Sequence, residues 1–422
     1  MLPVSRLRAC VFGTPFTPLP QVDLGHDANR TGASMRQVYL LASAGFVATA
    51  VAFGPARMGF GLFLPTFREA FALSTTMAGL VASLAFSAFL IALPLTAWLG
   101  GRVGQRVPIV AGALSAMIGF WVVASASDVG ELALGIALAG ASAGLCWAPF
   151  NDAAERVVPE ADRPGALSAV STGTTVGVAG AGALFLAVTL GSLDWRVPWV
   201  VFGVMALVAA LMALYGVPGG RTTPNPGTAG QPKLFRRNVI SLYVVAMCFG
   251  ASNSVYLSFA ADHVVAGGGL PGITEQSAAA VIFLGYGLCG LVGLATGRLE
   301  AWLGLNVLIA TIFSAFTASL ALVAIFPGVW SAVVVSAALH GGAVMTISAV
   351  LAFWSLRLFP GRGSTGFTIA LIGVALASVI GSATAGLLAD ATSLATALLA
   401  TSAAPLIAAI IFIGRARSRA LA

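Results

Sequence analysis

The sequence predicts an all-α membrane protein whose twelve transmembrane helices form two pseudo-symmetric six-helix bundles. Three observations carry that expectation. Hydrophobic residues make up 59% of the 422-residue chain and charged residues only 8%, far below the roughly 25% charge of a water-soluble domain. Apolar runs long enough to cross a hydrocarbon core of about 30 Å recur twelve times with short breaks. A polar stretch rich in Pro and Gly, 217–237, falls between the sixth and seventh runs, as a linker between two halves would.

The spans fall near 38–64, 76–99, 107–126, 131–153, 164–190, 196–216, 239–262, 275–297, 303–325, 329–355, 364–388 and 391–413. In the first, Gly54 and Pro55 precede Arg57, and such a pair loosens a helix wherever neighbours or a cavity can satisfy the freed backbone. Spans two and three are joined by Gly101, Arg102, Val103, Gly104, Gln105 and Arg106, a turn short and positive enough to mark the charge-rich side of the membrane. Span four ends in Trp147, Pro149, Phe150 and Asn151, followed by Asp152, Glu155 and Arg156. Span five carries Gly173, Gly177, Gly180 and Gly182, small residues that let helices approach closely. The halves echo each other. Arg156, Pro159 and Gly165 recur as Arg357, Pro360 and Gly366 at an offset of 201, and Gly101 with Arg102 as Gly297 with Arg298 at 196. Two nearly equal offsets point to a duplicated six-helix unit of parallel topology.

The positive residues assign the sides. With the N-terminus inside, 18 of the 21 Lys and Arg residues fall in inner segments, Arg68 and Arg196 fall outside, and Arg57 lies within a span. The net charge of +7 is thus read as topology rather than nucleic-acid binding. It predicts a multi-pass protein of the cytoplasmic (inner) membrane with both termini in the cytoplasm. The expected organisation is a cytoplasmic tail over 1–35, or a segment upstream of a true start at Met35, then a six-helix bundle over 36–216. A cytoplasmic linker over 217–237, a second bundle over 238–414 and a tail over 415–422 complete it.

A charge held in hydrocarbon is costly and marks function. All 14 carboxylates fall in tails, turns or helix ends, which leaves Arg57 in span one and His340 in span ten. Arg57 lies eight residues, about 12 Å, before the expected helix end at Pro65. Its side chain therefore either snorkels to the outer interface or points into a cavity between the halves. His340, beside Gly341 and Gly342, is either a neutral helix-packing donor or a group that binds substrate or a coupling proton. A cavity with these groups and no deep carboxylate favours a small organic anion, carried with a proton or exchanged for a counter-anion. At the inner end Arg102, Arg106, Arg156 and Arg298 are expected to contact Asp152, Glu155 and Glu300 when that end closes.

Other chemistries find little support. Cys10, Cys146, Cys248 and Cys289 lack CxxC spacing and three of them sit in apolar spans, so core filling is expected rather than disulfide or metal roles. Gly140, Ala141, Ser142, Ala143 and Gly144 match the nucleophile-elbow pattern, but that elbow needs a strand-to-helix turn and these residues lie inside a span. No cofactor or metal is expected and the chain is expected to be monomeric. A membrane-embedded enzyme and a non-transporting sensor stay as remote alternatives.

These residues resemble the major facilitator superfamily over 36–413. The family's first-turn signature is a Gly, an Asp-Arg pair, a Gly and one or two basic residues. Arg102, Gly104 and Arg106 match it, whereas Gly101 stands where the Asp belongs and Ala97 where the first Gly belongs. The stretch from Trp147 through Arg163 to Gly177 is similar to that of the organic-anion and monocarboxylate porters of the superfamily. Two marks of the drug:proton exporters, the alternative within the family, are absent: Ile136 occupies the place of their span-four arginine, and span five has no Gly-Pro pair. The resemblance implies a transporter whose first, fourth, seventh and tenth spans line a central cavity. By that implication Asn253, Tyr256, Trp147 and Trp354 join Arg57 and His340 as candidate substrate-binding residues.

Overall fold

The computed structural model describes residues 24–160, 162–220, 236–359 and 363–420. Most of the expected linker, much of the expected N-terminal tail, Pro360 and Arg362 lie outside the described residues. Among the described residues, twelve helical segments are long and apolar enough to cross a membrane.

The first span is broken into α1 (Leu24–Phe53) and α2 (Pro55–Phe71), with Gly54 between them. The rest of the first bundle is α3 (Thr75–Val103), α4 (Arg106–Ser125), α5 (Val129–Val157), α6 (Arg163–Leu190) and α7 (Arg196–Gly216). The second begins with α8 (Arg237–Ala266) and α9 (Glu275–Gly290), continued by a 3₁₀ turn (Leu291–Ala295) and α10 (Thr296–Leu303). It ends with α11 (Leu305–Ile325), α12 (Trp330–Leu358), α13 (Gly363–Ala391) and α14 (Leu394–Ala420). Lipid tails are as apolar as leucine, so close packing rather than water exclusion holds such helices together. In the first bundle that packing is aromatic. Phe63 lies 4.5 Å from Phe185 and 5.0 Å from Trp199 between ring centroids, and Phe67 lies 5.4 Å from Trp195. These rings fix α2, and with it Arg57.

Two features depart from the sequence reading. The first span does not stop at Pro65; α2 runs through it to Phe71. One proline removes a single backbone donor, and the rings of Phe60, Phe63, Phe67 and Phe71 hold the helix across the gap. Arg57 is therefore 14 residues, roughly 21 Å, from that helix end. An arginine side chain cannot snorkel that far. The second departure concerns the internal repeat. The turn after α3 is made by Gly104 at φ 90° and the turn after α10 by Gly304 at φ 76°, a backbone region that favours glycine. Their offset of 200 places Gly297 and Arg298 inside α10, nearly two turns before the equivalent bend. The match at 196 was thus out of register, and the offset of 201 is the closer one.

The helix ends that carry most of the arginines form one face of the molecule, called here the basic end. At the opposite end the bundles are joined. Arg68 of α2 pairs with Asp262 of α8 at 2.7 Å, with the Asp262 side chain only 5% exposed. Asp390, at the end of α13, accepts from the backbone N–H groups of Thr75 (3.2 Å) and Thr76 (2.9 Å) and so caps α3. Deeper in, Ser83 donates to the Val379 carbonyl at 2.8 Å. A Cβ on Gly61 would collide with the Leu257 carbonyl, so α2 meets α8 backbone to backbone.

Candidate functional site

With the far end sealed, a cavity of about 690 Å³ opens between the bundles toward the basic end. Its wall includes Trp147, Asn151, Asp152 and Glu155 of α5, and Met345 and Phe353 of α12. A smaller chamber of about 70 Å³ shares Trp147, Met345, Ser348 and Phe367 with it and is its inward continuation. Arg57, Asn253 and Thr174 line that chamber, among Phe53, Phe89 and Phe249.

Arg57 sits two residues past the first residue of α2, just after the Gly54–Pro55 break. The guanidinium carbon lies 4.4 Å from the ring centroid of Phe89, 5.5 Å from Phe86 and 5.8 Å from Phe53. Aromatic faces attract a cation, by about 2 kcal/mol where water is excluded. Among the described residues, the ion pairs involve Arg68, Arg196 and Arg357. Arg57 is held by rings and keeps its charge available to whatever enters.

Arg57, Asn253 and Trp147 are thus brought together, with Trp147 set edge-on to Phe53 at 5.1 Å. His340, Tyr256 and Trp354 are not on either cavity wall. His340 is wholly buried in the second bundle, stacked on Tyr256 at 3.7 Å, with Nδ1 3.1 Å from Ser319 Oγ. The Tyr256 hydroxyl is 3.1 Å from Ser336 Oγ. Trp354 packs edge-on against Phe412 of α14 at 6.5 Å. Span ten instead offers Met345 and Ser348, on a face roughly a third of a turn round the helix from His340. Thr174 was missed. Its buried hydroxyl has no hydrogen-bond partner, although neighbouring Thr175 bonds back to the Thr172 carbonyl; spacing alone does not reveal that.

Of the groups expected to gate the basic end, Asp152, Arg106, Arg156 and Glu300 make hydrogen bonds that do not cross between the bundles. Gln105 donates to Asp152 at 2.8 Å, Arg106 to the Val217 carbonyl at 2.6 Å and Arg156 to the Gly220 carbonyl at 3.2 Å. Glu300 receives a two-pronged pair from Arg357, at 2.6 and 2.9 Å. Arg102 lies over the Trp98 ring at 4.3 Å. Glu155 lines the cavity mouth and accepts at its backbone carbonyl from Arg163. Arg298 lies in α10.

The sequence profile of the Major Facilitator Superfamily matches residues 41–325. The chain belongs to the Major Facilitator Superfamily. Solved structures share the superfamily fold over nearly the whole chain. The nucleoside transporter NupG aligns with 89% of this chain and 99% of its own in a mutant form, at a TM-score of 0.72 and 12% identity. A bacterial homologue of the human lysosomal transporter Spinster, in an inward-facing and unoccupied conformation, aligns with 90% and 97%, at a TM-score of 0.65 and 18% identity. At such identities the likeness is one of fold. A stretch of 107 residues is 39% identical to a protein of Mycolicibacterium hassiacum named triacylglyceride transporter. That match covers 21% of this chain and 20% of the relative. The superfamily member described here is a membrane transporter of a small molecule, not an enzyme.

Proposed function

We propose that this transporter carries a small organic anion across the cytoplasmic membrane by alternating access, coupled to proton symport or to exchange for another anion. The observation that carries the reading is Arg57, a cation at a mid-membrane cavity with no carboxylate paired to it. A fixed positive charge in a low-dielectric chamber attracts anions and repels cations. The basic end faces the cytoplasm by the distribution of Lys and Arg, so the cavity is open inward. Residues 36–216 and 238–414 act as the two rocking bundles, joined by 217–237, in a monomer. When the inner end closes, Arg102, Arg106, Arg156 and Arg298 come to face Asp152, Glu155 and Glu300.

The experiment is uptake into proteoliposomes of a panel of radiolabelled carboxylates, sugars and cationic drugs, with and without a pH gradient. Saturable uptake of carboxylates alone is the expected result. Stimulation by an acidic outside marks symport, and stimulation by internal anion marks exchange. A second reading, extrusion of a lipid-like molecule, is favoured by the apolar cavity wall and by the mycobacterial relative's name. Transport of an uncharged lipid in preference to every carboxylate would establish it instead.

A further inference from the structure

The small chamber presents more than one donor. Asn253 makes a single side-chain hydrogen bond, in which its Oδ1 accepts from the Tyr286 hydroxyl at 3.3 Å. With the oxygen engaged, the amide turns its Nδ2, a donor, to the chamber it lines. Thr174, 5% exposed, lines the same chamber and its hydroxyl is unpartnered. Threonines in membrane helices ordinarily bond back to a carbonyl one turn earlier, and many here do, including Thr49 and Thr96. A buried hydroxyl left without a partner costs about 1–3 kcal/mol, which a ligand acceptor would recover.

We infer that Arg57, Thr174 and Asn253, the last held in orientation by Tyr286, form a three-donor socket for one carboxylate of the substrate. The inference rests on the reading of Arg57 as the anion anchor. Arginine's planar fork matches the two carboxylate oxygens. The threonine hydroxyl and asparagine amide supply donors for the remaining lone pairs. The chamber, of about 70 Å³, is the narrow end of the wider cavity. With one cation on its wall, it takes a monoanion. The remainder of the substrate extends past Trp147, Met345 and Phe367 into the wider cavity, whose wall is mainly apolar. Arg57 and Thr174 belong to the first bundle and Asn253 with Tyr286 to the second, so one carboxylate bridges the two bodies that move. Tyr286 is a positioning residue, because it acts through Asn253.

The test is calorimetric binding to the purified full-length protein in detergent, with hexanoate, its neutral isostere hexanamide and the dianion adipate as probes. The wild type is expected to bind hexanoate at least tenfold more tightly than either of the others. T174V and N253A should each weaken hexanoate three- to tenfold, with melting temperatures near the wild type's. Y286F should weaken it to a similar extent in the wild-type background and have no further effect in N253A. That non-additivity separates orientation of the amide from a general structural role. If R57Q abolishes hexanoate binding while T174V, N253A and Y286F leave it unchanged, the anion reading stands and the socket is overturned. Equal affinity for adipate, or a full Y286F effect in the N253A background, also overturns it. Wild-type affinity in R57Q, or no saturable hexanoate binding by the wild type, overturns the anion reading itself.

Discussion

The two ends of the molecule differ in a way opposite to their charge. The basic end carries most of the arginines, yet the hydrogen bonds and ion pairs described for Arg106, Arg156 and Arg357 stay within one bundle. The opposite end has few arginines, but Arg68–Asp262 and Asp390 on the α3 N-terminus cross from bundle to bundle. An end is sealed by partners on both sides of the interface rather than by the number of charges on it. The helix pair α3 and α13 makes the contrast within itself. At one end Asp390 meets the positive pole of α3; at the other, the last turn of α3 carries Gly101 and Arg102 and no acid.

Changes at the sealed end test that contrast most severely. G61A places a methyl group against the Leu257 carbonyl, and the bundles cannot close there without backbone movement. Uptake should fall at least tenfold, and spin-label distances across that end should lengthen. Wild-type distances would break the comparison. D262N comes next. It removes one partner of a largely buried pair and should cost the sealed state about 2 kcal/mol. Reagents from the far side should then reach a cysteine at Ser258 faster, and R68Q added to D262N should restore part of the protection. The smallest effects concern the α3–α13 pair. D390N should loosen the sealed end less than D262N does, because the exposed Asp390 carboxylate caps α3 from the surface. G101D should shift the population toward closure of the basic end by roughly 0.3–1 kcal/mol. Both are read from the same distances, and both should move the population toward closure of the basic end; shifts in opposite directions would refute the pairing of the two ends.

Much of the fold was legible from the chain, because membrane spans obey a length and polarity rule that local sequence satisfies. The sixth span agrees at both ends, Arg196 and Gly216. The first was read too short because Pro65 was taken as a stop, and the aromatic partners that carry the helix past it are distant in sequence. The site was legible only in part. Arg57 stands out in any apolar run, but the face a helix turns to the cavity depends on its neighbours' packing. His340 was therefore weighed equally with Arg57, although stacking on Tyr256 places it away from the chamber. The roles of Thr174 and Tyr286 depend on an absent and a present hydrogen bond, neither of which has a sequence signature.

The central claim is that a single unpaired cation at mid-membrane selects an anion. It is tested most directly by comparing carboxylate uptake into proteoliposomes by the wild type and by R57Q, a variant that keeps the side chain's length and loses its charge. The account predicts that R57Q loses saturable uptake while retaining wild-type melting behaviour; undiminished carboxylate uptake by R57Q would contradict it.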